Sequence, residues 1–305
     1  MNKIFITGAS GFIGEKLVSA IDTKKNTLRA LSRSKIPGIE TVICNLQSEK
    51  ISKDALKGVD IVFHLAGIAH DSSKQQDQQE DKYIAVNYRA SEKLAELAVV
   101  SGVKKFIFLS SVKAGGNMLT GECMAESDEF EPEGIYGKTK RKAELKLLRI
   151  GSQSEMHVSI IRSALVYGPS MKGNLGAMLS GIEKGWFPSL PKISNRRSLV
   201  HIDDLVKAIL LVAKDDRANG EIFIVTDGVP YSSREIYEVM RKILGKSIPK
   251  LYLPKFCFNL IAFFSLSFRY KVKKLFEDSY YSSRKINSIG FKPQRSLREM
   301  NETSF

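Results

Sequence analysis

The chain has 305 residues, of which 43% are hydrophobic and 26% charged, so it is too apolar for a disordered protein and long enough for a large α/β domain. Its formal net charge of +14 favours an anionic partner, but the lysines are dispersed and form no block typical of a nucleic-acid-binding tail. We therefore expect no nucleic-acid partner. Because the cysteines form no CxxC pair and the histidines have no ligand spacing, we also expect a cytoplasmic protein with no metal and no disulfide framework.

The first half of the chain alternates short apolar segments with helical ones. Strands are predicted at Ile4–Thr7, Thr27–Leu31, Glu40–Cys44, Asp60–Ala66, Lys105–Ser110 and His157–Arg162, and helices at Gly14–Ile21, Tyr83–Ser101 and Tyr136–Arg149. A polar loop is predicted at Asp71–Asp81. Strands that alternate with helices indicate βαβ units, and nearly continuous apolar strands indicate a sheet covered on both faces. The sequence therefore predicts an α/β fold with a doubly wound parallel Rossmann sheet.

After Tyr167 the pattern changes, because glycines interrupt the chain as far as Gly185. A helix at His201–Ala213 and a strand at Glu221–Thr226 follow, and the remainder reads as mostly helical. We predict a dinucleotide-binding Rossmann domain at residues 1–167 and 199–227. A smaller, mostly helical C-terminal substrate domain is predicted at residues 168–198 and 228–305.

One apolar segment, Phe256–Phe268, invites comparison with a membrane helix. It is too short to span a bilayer, which requires about 20 apolar residues. We expect a buried helix. A helix on the inner leaflet of a membrane, assisted by the basic residues after it, remains the alternative; these are Arg269, Lys271, Lys273 and Lys274.

The segment that joins the first strand to the first helix has the glycine spacing of a phosphate-binding loop. Glycine permits the tight turn and the close approach of backbone to a pyrophosphate, and the helix N-terminus offers free N–H groups. The position between strand and helix is the context that this motif requires. The residues predicted to bind a dinucleotide here are Gly8, Ser10, Gly11, Phe12, Ile13 and Gly14.

The end of the second strand predicts which dinucleotide is bound. An acidic residue at this position binds the ribose 2′-hydroxyl of NAD, but no Asp or Glu lies between Asp22 and Glu40. Ser32 and Arg33 would instead offer a hydroxyl and a guanidinium to a 2′-phosphate. The sequence therefore favours NADP(H), and NAD(H) remains open.

A phenol and an ammonium lie one helical turn apart at Tyr136 and Lys140. A nearby cation is expected to lower the pKa of the phenol and so make it a usable acid or base near neutral pH. Ser111 follows the fifth strand, at the sheet edge where ligands of open α/β sheets bind, and it could hydrogen-bond a reacting oxygen.

In these motifs the chain resembles the extended short-chain dehydrogenase/reductase family, the nucleotide-sugar epimerases and dehydratases. The motifs occur in the family's order: TGASGFIG at the first turn, HLAG at His64–Gly67, Asn87 within VNYRAS, SSVKAGG, YGKTK, and RSALVYGP at Arg162–Pro169. The resemblance implies that Ser111, Tyr136 and Lys140 are the catalytic triad. Tyr136 would transfer the proton, Lys140 would hold the nicotinamide ribose, and Ser111 would orient the substrate oxygen.

The same resemblance implies further contacts. Cofactor contacts would come from Asn45 and Leu46 beside the adenine, and from Leu65, Ala66, Gly67, Asn87, Tyr136 and Lys140. Contacts to a UDP-sugar would come from Ser111, Lys113, Asn174, Arg196, Arg197 and Lys274. By analogy with the family, the helices near residues 83–101 and 136–150 would pair into a homodimer.

Departures from the family pattern narrow the expected reaction. Dehydratases have an acidic pair after the catalytic hydroxyl, where this chain has Val112 and Lys113, and this disfavours dehydration. The combination of SSVK, VYGPSMKGN and NRRSLV resembles the reductases that convert a UDP-4-keto-6-deoxy-N-acetylhexosamine to the UDP-N-acetylquinovosamine type of sugar for surface polysaccharides. In those proteins an arginine stands near Lys274. The alternative is a 4-epimerase of UDP-glucose or UDP-N-acetylglucosamine with bound NAD. A redox-sensing protein without turnover is disfavoured by the intact triad.

Overall fold

The computed structural model describes residues 1–69, 76–116, 121–132, 134–264 and 266–304. These described residues contain ten strands: β1 Asn2–Thr7, β2 Asn26–Ser32, β3 Glu40–Ile43, β4 Ile61–His64, β5 Lys105–Ser111, β6 His157–Ser163, β7 Leu165–Tyr167, β8 Arg197–His201, β9 Ile222–Val225 and β10 Pro230–Tyr231. Seven of them form one parallel sheet in the order β3-β2-β1-β4-β5-β6-β9. The chain reverses direction of winding at β1, so the carboxyl ends of β1 and β4 flank the crevice where dinucleotides bind in such sheets.

The described residues contain ten α-helices, some of which cover both faces of this sheet. They are α1 Phe12–Ala20, α2 Gln76–Tyr83, α3 Ala90–Val100, α4 Gly134–Ser152, α5 Gly173–Glu183, α6 Ile202–Lys214, α7 Ser233–Ile243, α8 Lys255–Phe264, α9 Leu266–Phe276 and α10 Arg284–Ser288. A π-helical segment, Ile84–Arg89, joins α2 to α3. One apolar layer packs α1 and α6 on the sheet, and a second packs α3 and α4 on the opposite face. The predicted doubly wound fold is confirmed.

A second, smaller sheet is formed by strands that follow β6 in the sequence. It has three strands in the order β10-β8-β7, in which β7 and β8 are parallel and β8 and β10 antiparallel. Its apolar side chains share a third core cluster with α5 and α7, which includes Tyr167, Leu199 and Tyr237. The domain boundaries at residues 168, 199 and 228 stay a prediction.

Four elements, three short strands and one helix, differ from the sequence prediction. The strands β7, β8 and β10 were not predicted, because they span only two to five residues and no long apolar run marks them. The polar loop predicted at Asp71–Asp81 is wrong from Gln76 onward, since α2 begins there; residues 71–75 lie outside the described part. Propensity missed α2 because its residues are polar and lack an apolar stripe.

The apolar segment Phe256–Phe268 is a further correction. It was predicted as a buried helix, but the side chains of Phe256 and Phe263 on α8 are 67% and 82% exposed. Only one side of this short helix packs inward, where Phe258 is 2% exposed. No helix in the described part of the chain is long and apolar enough to cross a membrane. The cytoplasmic location stays a prediction.

Candidate active site

The turn after β1 brings the backbone of the glycine loop against the turn after β4. Gly8 has a φ of +75°, which favours glycine, and a Cβ atom there would lie 2.8 Å from the Ala66 nitrogen. A Cβ on Gly14 would lie 2.0 Å from the Gly8 carbonyl oxygen. Gly11 is the N-cap of α1 and offers no side chain to its free N–H groups. The loop is thus a backbone cradle open to an anionic group, as a pyrophosphate requires.

A buried polar chain supports the turn after β4. His64 is fully buried, with Nδ1 2.6 Å from Thr7 Oγ1 and Nε2 2.7 Å from Ser91 Oγ. The Ser91 hydroxyl donates to the Asn87 carbonyl oxygen, so it accepts from His64, which leaves Nδ1 to accept from Thr7. Burial, together with the charge of Lys140, lowers the pKa of His64 to about 3. His64 is therefore a neutral structural group at physiological pH.

Asn87 lies in the π-helical segment and fixes the loop that follows β4. Its Oδ1 accepts from the Ile68 N–H at 2.8 Å, and its Nδ2 donates to the Ile68 carbonyl oxygen at 3.0 Å. A Cβ on Gly67 would lie 3.2 Å from Asn87 Oδ1 and 3.1 Å from Lys140 Nζ. The predicted cofactor residues Gly67, Asn87 and Lys140 therefore meet at one point, next to the glycine loop. A π-helical segment at such a point is typical of functional sites.

Lys140 is buried, and its ammonium donates to the Leu109 carbonyl oxygen at 2.9 Å. The same group lies 4.4 Å from the centre of the Phe108 ring. Burial lowers the pKa of Lys140 to about 8, against the opposing effect of the Glu144 carboxylate. In most molecules the Lys140 side chain is thus positively charged at neutral pH, and a modest rise in pH removes that charge.

Tyr136 lies in the first turn of α4 and against the end of β5, where its hydroxyl is hydrogen-bonded to Ser111. Burial raises the pKa of Tyr136 to about 12, and the bond to Ser111 opposes this rise. The prediction that Lys140 lowers this pKa is wrong for the present arrangement, because desolvation dominates and the ammonium is turned to Leu109. Tyr136 is accordingly a protonated phenol at neutral pH.

Two side chains contact the Tyr136 ring, of which the sequence analysis named only Lys113, as a substrate contact. Tyr83 at the end of α2 meets it edge-on, with ring centres 6.4 Å apart. The Lys113 ammonium lies 5.8 Å from the centre of the same ring. Tyr83 gave no signal in the sequence, because its segment carries no motif and the contact joins residues far apart in the chain.

A buried ion pair lies behind the three candidate catalytic residues. Arg162 on β6 and Glu144 on α4 are 1% and 0% exposed, and Nη2 of Arg162 donates to Glu144 at 2.7 Å. Nε of Arg162 also donates to both carboxylate oxygens, at 3.1 and 3.2 Å. A Cβ on Gly115 would lie 2.9 Å from Arg162 Nη1, so the pair also supports the turn that follows Ser111.

The end of β2 carries the residues predicted to select NADP(H). Ser32 is the last residue of β2, and Arg33 after it is exposed. The carboxylate nearest along the chain, Glu40, is engaged in an ion pair with Arg29 at 2.5 Å. Beyond β3, Asn45 caps a local turn by accepting from the Gln47 N–H, and Leu46 packs against the core beside the sheet.

A cavity extends from Ser111 toward the C-terminal part of the chain, and most of the predicted substrate residues line it. Its lining includes Ser111, Lys113, Asn174, Arg197, Lys273, Lys274 and Tyr281. The lining also includes two acidic groups, of which Glu277 is paired with Lys273 at 3.7 Å. Five of the six predicted substrate residues therefore surround one space, although they come from distant parts of the sequence.

The two neighbouring arginines at residues 196 and 197 have different surroundings. Arg197 is 9% exposed, its Nε has no hydrogen-bond partner, and no carboxylate of the described residues forms an ion pair with it. Burial lowers the pKa of Arg197 to about 10. Arg196 instead stacks over the Tyr280 ring at 5.1 Å, donates to the Gly121 carbonyl oxygen and does not line the cavity. This outcome follows from strand alternation, since successive side chains of β8 and its flank point to opposite faces.

Within the described part of the chain, no group of three or more His, Cys, Asp or Glu side chains could hold a metal ion.

The strand order and the glycine loop define a Rossmann-type dinucleotide-binding fold. Residues 4–226 match the NAD dependent epimerase/dehydratase family, and the chain belongs to this family. The resemblance drawn from the sequence motifs is thereby confirmed.

Individual relatives are similar over most of their length. A UDP-glucose 4-epimerase of Vibrio cholerae is 32% identical over 263 residues, which cover 84% of this chain and 80% of the relative. The N-acetyl-alpha-D-glucosaminyl-diphospho-ditrans,octacis-undecaprenol 4-epimerase of Escherichia coli O157:H7 is 25% identical and covers 95% of this chain and 90% of its own. The solved UDP-glucose 4-epimerase of Thermotoga maritima, in complex with UDP-glucose, shares the fold with a TM-score of 0.81, at 22% identity and over 99% of this chain and 97% of that one.

Proposed function

We propose that this protein is an NAD(P)-dependent nucleotide-sugar oxidoreductase that reduces the C4 ketone of a UDP-4-keto-6-deoxy-N-acetylhexosamine to the alcohol. The product would be a sugar of the UDP-N-acetylquinovosamine type for surface polysaccharide synthesis. One observation carries the proposal: Ser111, which is hydrogen-bonded to Tyr136, lines a cavity that also contains the buried guanidinium of Arg197, whose Nε has no hydrogen-bond partner. A proton donor and an anion-binding group then face the same substrate.

The residues around the glycine loop suit a dinucleotide. The cradle of Gly8, Gly11 and Gly14 leaves room for phosphate, and Lys140 and Asn87 stand beside Gly67 where a nicotinamide ribose would lie. A bound nicotinamide cofactor supplies or accepts a hydride at the sugar carbon. In this proposal Lys140 holds the ribose and keeps a positive charge beside the reacting groups.

The protein's own groups handle the proton. Tyr136 would donate its proton to the C4 oxygen as the carbonyl carbon is reduced, and the raised pKa of Tyr136 keeps that proton available at neutral pH. Ser111 would hydrogen-bond the same oxygen and hold it in line with the phenol. The raised pKa supports the reductive direction, because oxidation of an alcohol would require Tyr136 to begin as a phenolate.

Basic side chains of the cavity support a substrate with a diphosphate. Arg197 is buried without an anionic partner, which is costly unless a ligand supplies the charge. Lys274 and Asn174 line the same space and would meet the diphosphate and the sugar. UDP-glucose in relatives and structural neighbours supports a UDP-sugar as the ligand class.

The test is a direct assay of ketone reduction. Purified protein is mixed with NADPH and UDP-4-keto-6-deoxy-GlcNAc, the loss of NADPH absorbance is followed, and the product is identified by NMR. We expect NADPH loss equal to product formed, slower turnover with NADH, and no reaction with the ketone omitted. No NADPH loss with a protein that binds the ketone sugar would refute the reductase.

A 4-epimerase is the second candidate, because the relative from Vibrio cholerae is a UDP-glucose 4-epimerase. The same Ser111, Tyr136 and Lys140 would serve it, since an epimerase oxidises C4, turns the ketone over and reduces it again. Incubation of UDP-glucose or UDP-N-acetylglucosamine with protein and no added cofactor separates the two. Formation of the C4 epimer under these conditions would favour the epimerase, because only a retained NAD could be recycled.

A further inference from the structure

The short helix α8 turns an apolar face away from the protein. Phe256, Leu260 and Phe263 are spaced by four and three residues and so share one face of the helix. Their side chains are 67%, 59% and 82% exposed. In the segment before the helix, Leu251 is 87% exposed and Ile248 is 50% exposed. We call these five residues the α8 patch.

The side of α8 opposite the exposed side chains packs against the protein core. Phe258 on the opposite side of α8 is 2% exposed, and its ring meets that of Phe276 on α9 edge-on, with centres 5.4 Å apart. Phe258 belongs to the core cluster shared with α5 and α7. The outward side chains are therefore presented by a helix that is already packed, and an exposed apolar patch of this kind marks an interaction site.

The chain around the α8 patch is strongly basic. From residue 239 to residue 276 the sequence contains no Asp or Glu and nine basic residues, which are Arg241, Lys242, Lys246, Lys250, Lys255, Arg269, Lys271, Lys273 and Lys274. Among these, Lys250, Lys255, Arg269 and Lys271 are exposed. An apolar helix face within a chain segment that carries only cations is the pattern of helices that lie in the headgroup region of an anionic membrane.

We propose that the α8 patch docks this protein on the surface of an anionic phospholipid bilayer. Phe256, Leu260 and Phe263 would enter the boundary between headgroups and acyl chains, and the surrounding cations would contact lipid phosphates. A second copy of the chain fits less well, because a two-fold contact through α8 would bring two segments that carry nine cations and no carboxylate each against one another. This docking is independent of the reaction proposed above.

Docking would bring the candidate cavity close to the lipid surface. The helix that packs on α8, α9, carries Lys273 and Lys274 into the lining of that cavity. The bilayer contact and the substrate contact are therefore made by one helical pair.

The test is co-sedimentation of the full chain with lipid vesicles. Vesicles of phosphatidylcholine mixed with equal phosphatidylglycerol are compared with vesicles of phosphatidylcholine alone. We expect the protein to bind the anionic vesicles, and salt to weaken the binding. The triple variant Phe256→Ser, Leu260→Ser, Phe263→Ser should lower the partition coefficient about a hundredfold, since three exposed side chains lose their apolar contact with lipid.

A matched control uses exposed apolar residues outside the α8 patch. Ile43 and Val100 are 58% and 79% exposed, and the double variant Ile43→Ser, Val100→Ser should bind vesicles like the wild type. A second variant, Lys250→Gln, Lys255→Gln, Lys271→Gln, should reduce binding to anionic vesicles and leave the weak binding to neutral vesicles unchanged. These three lysines do not line the cavity.

Three results would overturn the proposal. The first is a wild-type protein that stays in the supernatant with anionic vesicles at low salt. The second is a triple variant, folded by circular dichroism, that sediments as well as the wild type. The third is a triple variant whose mass by light scattering falls from that of the wild type, since the α8 patch would then be an interface between copies.

Discussion

Tyr136 and Lys140 have opposite pKa shifts for one reason, the removal of both groups from water. Desolvation penalises the charged form, so it raises the pKa of the phenol to about 12 and lowers that of the ammonium to about 8. At neutral pH the pair therefore consists of a protonated phenol and an ammonium. That is the state from which a proton can be given to a carbonyl oxygen.

The charge of Lys140 predicts the alkaline limit of activity. The Lys140 side chain is a positively charged ammonium at pH values below its pKa of about 8 and a neutral amine above it. The kcat for reduction should therefore fall as the pH rises through that value. The decline should approach about tenfold per pH unit once Lys140 is mostly neutral. A pH–rate profile at saturating NADPH measures it. A profile that stays level to pH 10 would contradict the role of Lys140.

Arg33 predicts the choice of cofactor. If its guanidinium contacts the 2′-phosphate, Arg33→Ala should raise KM for NADPH about tenfold or more and leave KM for NADH nearly unchanged. Arg149, another arginine in a helix far from β2 in the sequence, supplies the matched control Arg149→Ala. Equal effects of Arg33→Ala on both cofactors would show that the residue does not read the phosphate.

At the scale of elements, the Glu144–Arg162 pair links α4 to β6. Both side chains are almost fully buried, so removal of Arg162 leaves the Glu144 carboxylate in the core with only the longer contact to Arg141, at 3.4 Å. Arg162→Met should lower the free energy of unfolding by about 3–5 kcal/mol, as measured by urea denaturation. The exposed pair Lys285–Glu221 is the control, and Lys285→Met should cost less than about 1 kcal/mol. Similar losses in both variants would contradict a special role for the buried pair.

The sequence predicted some elements of this site and missed others for physical reasons. Motifs anchored to strand ends, such as Ser111 after β5 and the glycine loop after β1, could be located because periodicity marks the strand before them. The pKa of Tyr136 could not be predicted, since it depends on burial between α4 and β5. The contact of Tyr83 with the Tyr136 ring was likewise missed, because it is tertiary and joins residues far apart in the sequence.

At the scale of the whole molecule, we predict a dimer interface formed by α3 and α4. Leu145 on α4 is 53% exposed although its helix otherwise packs on the sheet. We expect a homodimer through these helices, and Leu145→Glu should shift the mass in solution from two chains toward one. Light scattering during gel filtration measures it, with Phe256→Glu as a control that leaves the mass unchanged. A wild-type monomer at micromolar concentration would contradict this arrangement.

The distribution of function over the molecule follows its two sheets. The large parallel sheet forms the glycine cradle and carries Ser111, whereas β8 and α9 contribute Arg197 and Lys274 from the later part of the chain. A reactive carbonyl would be held between these parts. Fold class could be predicted from alternation alone, but this meeting of residues 111, 174, 197 and 274 required the structure.

The central claim is that hydride from a nicotinamide and a proton from Tyr136 meet at the sugar C4, and isotope transfer tests it most directly. NADPH deuterated at the transferable position of its nicotinamide is incubated with UDP-4-keto-6-deoxy-GlcNAc and the enzyme, and the product is analysed by NMR. We predict one deuterium at C4 with the wild type and with the control Tyr252→Phe, and a rate lowered about a thousandfold in Tyr136→Phe. Product without deuterium at C4, or wild-type turnover by Tyr136→Phe, would contradict the account.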